Sequence, residues 1–471
     1  MKKISLIVLF FFPLQITAQN WAAICNLNNP VNTFFEDTIL DELFFGGTFS
    51  YINSDTMVGI AKWNGSKVST LGCGVEWDCI TPGFGSGTYP VNGIVRFDGN
   101  IYTIGSFYTA SGISVNGLAI WNGTQWDNIG TGLKTRSGNI GIGNGVKVIN
   151  NELYVYGSFD SISGLPVNSI AKFDGANWNS VHNFPLIPTS TGSINNIFDV
   201  EIYNNELYVC GIFHNLPVGT IYNIIKWNGN DWVSVGDGIR GGFVYVNKML
   251  VFKNELIVAG KFSKTVYQNN PGENIGKWNG IQWTELGNGT DDIIRDIKVH
   301  NDTLYACGAF RNAGGIPADR IAKWDGTKWC GLGTMIDNVV GALCFYHDTL
   351  YIGGGFWTIN GDSISRLAKW VGGNYIDTCG NTTSIDELDN QVNNILIFPN
   401  PFSDYATLSL SKPLFNASLI VYDIIGKEVN RMENLNGKEI RISRNSMSKG
   451  MYFFRVVEGI INVGKGKMIV E

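Results

Sequence analysis

Apolar and polar residues alternate along most of this chain in short runs broken by Asn, Asp and Gly, and a period of two is the signature of half-buried β-strands. One run recurs, in outline LYxxGxF: LFFGGTF from Leu43, IYTIGSF from Ile101, LYVYGSF from Leu153, LYVCGIF from Leu207, LIVAGKF from Leu256, LYACGAF from Leu304 and LYIGGGF from Leu350. The intervals are 58, 52, 54, 49, 48 and 46 residues. Each copy is followed by a second run: AKWNG from Ala61, AIWNG from Ala119, AKFDG from Ala171, IKWNG from Ile225, GKWNG from Gly276, AKWDG from Ala322 and AKWVG from Ala368. Five residues beyond the aromatic of that run stands another, at Trp126, Trp178, Trp232, Trp283 and Trp329, and an aliphatic residue follows three further on.

The Asn-Gly or Asp-Gly of the second run lies between two alternating stretches, which predicts two strands joined by a two-residue type I′ turn. Upstream of each LYxxGxF lies another alternating stretch, with Asn151-Glu152, Asn205-Glu206, Asn254-Glu255, Asp302-Thr303 and Asp348-Thr349 at the tip of a second hairpin. Four strands in a unit of about 50 residues is the size of a propeller blade. The expected fold is therefore all-β, a seven-bladed β-propeller over residues 19–379. A propeller must close, and NWAAIC from Asn20 matches the outermost element of a repeat, so Trp21 to Ile24 are expected to complete the last blade. Cys25 and Cys379 then fall on equivalent positions and are expected to lie close together, where a disulfide is open to them.

Beyond a polar linker at residues 380–394 the pattern changes to short strands without the repeat, some seven of them within residues 395–471, as in a small Ig-like β-sandwich. The other terminus differs again: Lys2 and Lys3 precede an apolar run from Ile4 to Ile16 and a small residue at Ala18, which reads as a secretory signal peptide over residues 1–18. The run is shorter than the ~20 residues that span a bilayer, and no later segment is long and apolar enough. Export gives the eight cysteines a disulfide-permissive compartment, with Cys73 and Cys79 close enough to close a small loop and Cys210 and Cys307 at one repeat position, where buried thiols are expected.

Composition adds little to the fold and something to function. The 58 glycines in 471 residues are explained at this point by turns that require positive φ, and the 14 tryptophans by the repeats. The net charge of −6, more negative over the repeats alone, excludes nucleic acid and anionic lipid as partners of that region.

The repeats resemble those of the kelch and galactose-oxidase-type propeller superfamily. They are still more similar to the propeller repeats of fungal bud-site cortical marker proteins and of bacterial surface proteins with IAKWNGxxWxxLG runs. The regular Gly-Gly pair of kelch repeats is missing. Residues 395–471 closely resemble the type A C-terminal sorting domain of the type IX secretion system of Bacteroidetes. Its PNP box corresponds to Pro399, Asn400, Pro401 and Phe402, its central box to Tyr422, Asp423, Gly426 and Lys427, and its closing motifs to Gly450, Tyr452, Lys465 and Lys467. This resemblance implies recognition by the type IX secretion translocon, export across the outer membrane, and a secreted, extracellular or outer-membrane-surface location.

Chemistry is thinly represented. His182, His214, His300 and His347 are scattered over turns and read as exposed side chains, so neither a metal site nor a cofactor is expected, and no catalytic residue stands out. The second and inter-blade connections vary in length, and loops on a rigid scaffold are where recognition concentrates. They hold Trp77, Phe84, Tyr89, Tyr108, Phe184, His214, Tyr267 and Trp357, the candidate ligand contacts. The expected function is a non-enzymatic, secreted or surface-bound propeller that binds glycan or protein. The alternative is an extracellular carbohydrate-active enzyme with carboxylates at the channel.

Overall fold

The computed structural model describes residues 21–53, 55–75, 90–185, 196–216, 219–241, 244–266, 268–371, 395–423, 427–444, 447–458 and 461–471. The segments read as signal peptide and linker lie outside these. All regular structure among the described residues is strand, and no helix is long and apolar enough to cross a membrane. The chain divides into two compact units, Met1–Thr382 and Thr383–Glu471, with the boundary inside the stretch read as a linker.

The first unit contains seven four-stranded antiparallel sheets among the described residues. Their first strands are Val31–Asp37, Val91–Phe97, Ile142–Ile149, Asn196–Tyr203, Tyr245–Phe252, Ile294–His300 and Val340–Tyr346. Each lies against the first strand of the next sheet, and that of the seventh lies against that of the first. The last strand of the seventh sheet is Trp21–Ala23, paired in the register Trp21 to Trp370, as the NWAAIC run predicts. Trp21 is buried and meets Trp370 edge-on at 5.1 Å.

LYxxGxF is the second strand of each sheet, and in the third sheet every residue from Leu153 to Gly157 is buried because both faces are covered. Its glycine is not a turn residue. At Gly47, Gly105, Gly157, Gly211, Gly260, Gly308 and Gly354 an added Cβ would run into the carbonyl oxygen that opens the first strand, that of Pro30, Pro90, Ile142, Asn196, Tyr245, Ile293 and Val339 respectively. None of the seven has a positive φ. Turn chemistry therefore explains only part of the glycine excess, and close backbone approach explains the motif glycine.

The type I′ turn expected at the WNG hairpin stands instead at the hairpin between the first and second strands. The WNG turns are not two-residue loops: Trp121 pairs with Trp126, Phe173 with Trp178, Trp227 with Trp232, Trp278 with Trp283 and Trp324 with Trp329, leaving four residues between. The Asn or Asp is there because its side-chain oxygen accepts the next two free N–H groups, as Asn122 does from Thr124 and Gln125. The partner rings sit directly opposite, 5.0–5.7 Å apart, which accounts for the fixed five-residue spacing. The type I′ chemistry belongs to the first hairpin, one residue earlier than its sequence suggests: Asn150-Asn151, Asn204-Asn205, Lys253-Asn254, Asn301-Asp302 and His347-Asp348 all have positive φ at both positions.

Cys25, Cys210, Cys307 and Cys344 are buried free thiols. The disulfide open to Cys25 is thus not formed; its sulfur lies in an apolar cluster with Leu27, Phe49 and Trp63, and burial pushes the thiol up to about 12. Cys79 and Cys379 lie outside the described residues.

In the second unit, five strands stand among the described residues where some seven were expected: Ile395–Phe398, Tyr405–Tyr422, Glu428–Ser443, Gly450–Glu458 and Ile461–Val470. The polar stretch around Lys412 to Asn416 does not end a strand. Pairing between the second and third strands continues through it with shifts of register after Ser409, Leu414 and Ala417. Phe402, Leu408, Leu419, Tyr452, Phe454 and Met468 pack in its core.

Candidate functional site

Where the first strands meet, a β-bulge turns Asp199 toward the neighbouring sheet, and the carboxylate is almost fully buried. Its Oδ2 accepts from the Met249 N–H at 2.8 Å, and its Oδ1 accepts from the Tyr156 hydroxyl at 3.1 Å and from the Val200 N–H at 2.9 Å. Lys147 reaches Asp199 at 3.5 Å and Glu201 at 2.8 Å. Burial alone would raise the Asp199 carboxyl, but Lys147, Lys248 and the two N–H donors hold it below its ordinary value. Burial opposes the Lys147 charge, yet the two carboxylates keep that ammonium above its usual range. Asp296 repeats the arrangement two sheets later, accepting from Ile297 and from Leu343 of the seventh sheet. These acids tie sheets together; with their lone pairs engaged they are poor candidates for a general base.

The histidines are also structural where their side chains are described. His182 stacks on Trp227 at 4.5 Å, His300 stacks on Phe345 at 3.9 Å, and His347 pairs with Asp41 across the junction of the seventh and first sheets. Among the described residues no group of three or more His, Cys, Asp or Glu could hold a metal ion.

Opposite the two-residue turns lies the loop-bearing side. In six sheets the Phe ending LYxxGxF is buried, and the residue after it lies on this side: Ser50, Tyr108, Asp160, Ser263, Arg311 and Trp357 in the first, second, third, fifth, sixth and seventh sheets. Trp357 is 53% exposed, Tyr108 46% and Tyr51, beside Ser50, 48%. The Arg366 guanidinium lies over the Trp357 ring at 3.6 Å, and Asp337 accepts the Trp357 backbone N–H at 2.9 Å, so both the ring and the backbone of Trp357 are held. The seventh, first and second sheets are consecutive, and the three rings form an aromatic arc on one side of the unit.

Of the eight residues singled out from sequence, Tyr108 and Trp357 thus stand exposed at equivalent positions. Phe184 leaves the set, because it is 3% exposed and packed edge-on against Trp232 at 4.9 Å. His214 lies in a strand, opposite Tyr222, with its side chain outside the described atoms. Trp77, Phe84, Tyr89 and Tyr267 lie outside the described residues. Tyr51 was missed, since it sits one position later than its counterparts.

In the second unit the motif residues serve mainly to hold the last strand. Asn400 accepts from the Ile469 N–H at 2.8 Å and donates to the Lys467 carbonyl at 3.3 Å, while the buried Phe402 exchanges backbone hydrogen bonds with Ile469 and Glu471. Asp423 closes its turn by accepting from the Lys427 N–H at 2.9 Å, and the Tyr452 hydroxyl donates to the Ser448 carbonyl at 2.8 Å. Gly450 opens the strand that carries Tyr452. Gly426 and the Lys465 side chain lie outside the described atoms, and the Lys467 side chain is exposed.

No curated protein matches the chain. Among solved structures the chain is similar to a novel fungal alcohol oxidase with catalytic diversity among the AA5 family, in complex with copper, at 10% identity over 96% of this chain and 98% of that one, with a TM-score of 0.40. Residues 396–471 match the family of secretion system C-terminal sorting domains. The second unit therefore carries a type IX secretion sorting domain, which indicates that the protein is secreted and has a cell-surface or extracellular location.

Proposed function

We propose that the first unit is a closed seven-bladed β-propeller acting outside the cell as a binding protein, with glycan or protein partners taken on its loop-bearing face. The second unit is then a small Ig-like module engaged by the secretion translocon. The cyclic succession of seven sheets and the completion of the seventh by Trp21–Ala23 support the closed ring. The observation that carries the binding reading is the arc of Trp357, Tyr51 and Tyr108. Standing on three consecutive sheets of one face, these exposed aromatics offer flat apolar faces that suit sugar rings and protein hot spots alike. The inward acids Asp199 and Asp296 are committed to neighbouring backbone, which favours binding over hydrolysis.

A glycan array and an affinity pull-down, each run with the wild-type chain and with a Tyr51→Ser/Tyr108→Ser/Trp357→Ser variant, test this. Hot-spot loss of about 2 kcal/mol or more is expected for the variant, at unchanged melting temperature. Undiminished binding would remove the arc from the site, and turnover of any bound sugar would replace the binding reading with the enzymatic one.

A further inference from the structure

Five sheets insert a small hairpin between their second and third strands: Tyr51–Ile52 with Asp55–Thr56, Thr109–Ala110 with Ile113–Ser114, Ser161–Ile162 with Leu165–Pro166, Asn312–Ala313 with Ile316–Pro317, and Thr358–Ile359 with Asp362–Ser363. The tip of each docks on the end of the preceding sheet. Ser111 donates its N–H to Gly74, Ser163 to Gly132, Gly314 to Gly289 and Asn360 to Met335. The docked residue covers the glycine that ends the preceding outer strand: a Cβ on Gly72 would lie 2.8 Å from Ser111 Oγ, and one on Gly130 would meet Ser163.

Among the described residues the fourth sheet instead runs its second and third strands on as one long hairpin, Glu206–Leu216 with Gly219–Trp227, and the fifth sheet carries no such hairpin. Its connection, residues 263–273, is tied to the loop after the fourth sheet by Asn270, whose Oδ1 accepts from the Arg240 N–H at 2.8 Å and whose Nδ2 donates to the Arg240 and Ser263 carbonyls at 2.9 and 3.0 Å. Among the described residues no hairpin tip covers Gly236, and the three nearest atoms to a Cβ there are ring atoms of Trp283, at 3.0 Å, and Trp278, at 3.1 Å. In place of a hairpin tip there is a cavity of about 400 Å³ floored by these rings and walled by Asp237, Gln268, Gln282 and Glu285. A second cavity of about 620 Å³ adjoins it and shares Lys264, Gln268 and Glu285 with it.

We infer that this groove is a carbohydrate subsite that takes a neutral oligosaccharide, and the inference rests on the reading of the unit as a glycan-binding protein. The half-buried Trp283 has its only polar atom engaged, Nε1 donating to the Val235 carbonyl at 3.0 Å, so what remains open is ring carbon, suited to the C–H face of a pyranose. The carboxamides of Gln268 and Gln282 supply donors and acceptors together, as sugar hydroxyls require. Two adjoining cavities favour a chain of sugars over a single one. Charge sets the class: Asp237, Glu273 and Glu285 stand against Lys264, which itself pairs with Glu285. Hydrogen bonds from Thr265 help hold Glu273 below its ordinary value against burial, which would raise it, so the groove stays net negative and repels uronate or sulfated sugars. The groove lies on the fifth sheet and the aromatic arc on the seventh, first and second, so their contributions separate by mutation.

The test is calorimetric titration of the full-length chain with neutral hexasaccharides of several linkages and with an oligouronate, repeated on a Gln268→Ala/Gln282→Ala variant and on Trp357→Ala. The expected result is saturable binding of a neutral oligomer that the glutamine variant weakens by about tenfold or more at unchanged melting temperature, with the oligouronate bound poorly. Neutral-sugar binding lost in Trp357→Ala but intact in the glutamine variant would overturn the groove and leave the glycan reading standing. Preference for the oligouronate would overturn the assigned class, and absence of any sugar binding would overturn the groove and the glycan reading together.

Discussion

The fifth sheet and its five hairpin-bearing siblings are built alike on the inside and differently on the rim. Gly260 meets the Tyr245 carbonyl just as Gly157 meets that of Ile142, and Trp278 faces Trp283 just as Trp324 faces Trp329. The rim differs because Asn270 does with one side chain what a docked hairpin tip does elsewhere with backbone. Positions that every repeat shares thus maintain the scaffold, while the rim of the fifth sheet, departing from its hairpin-bearing siblings, opens onto a cavity. The same division holds in the sorting domain, where Asn400, Phe402 and Tyr452 spend their contacts on the fold and Lys427 and Lys467 remain exposed.

The largest effect is expected at the shared interior. Asp199→Ala removes the tie between the fourth and fifth first strands and leaves Lys147 with one carboxylate fewer, so a loss of roughly 3–5 kcal/mol in chemical unfolding is expected. Because the folded carboxyl is held below the ordinary value of about 3.9, its contribution is complete above that pH and disappears as pH falls through the folded value. Melting of an Asp199→Asn variant should accordingly lose part of the acid-side slope that the wild type shows, and an unaltered slope would mean that the carboxylate is not coupled to folding. A smaller effect is expected at the motif glycine: Gly260→Ala and Gly157→Ala should each cost on the order of 1–3 kcal/mol by crowding a carbonyl. Equal losses would show that the fifth sheet keeps its siblings' interior; a harmless Gly260→Ala would break the comparison by showing that sheet to be loose throughout.

Much of this architecture was legible because repetition amplifies weak signals. Seven copies of LYxxGxF located the second strands, and the isolated NWAAIC run located the strand that completes the seventh sheet. Turn lengths were less legible, since Asn-Gly suits both a two-residue turn and a four-residue loop capped by its own side chain, and only the pairing of Trp121 with Trp126 decides between them. Residues that act across sheets were hidden altogether. Asn92, Asn144 and Asn247 sit on bulges and donate to Gly143, Ile197 and Ile294 of the next sheet, contacts that no local pattern encodes. Phe184 looked like a loop aromatic because its burial depends on Trp232, about fifty residues away. The groove could not be read from its own residues, because what marks it is a missing hairpin, recognisable only beside the five that are present.

The central claim is that recognition belongs to the loop-bearing side and not to the side of the two-residue turns. Hydrogen exchange on the full-length chain, with and without a bound partner from the array or pull-down, addresses it most directly. Added protection is expected in residues 50–56, 106–114 and 356–364, extending to 263–273 when the partner is a neutral oligosaccharide, with the tips at Asn150-Asn151, Asn204-Asn205 and Asn301-Asp302 unchanged. Protection concentrated at those tips, with the loops exchanging as in the free protein, would contradict it.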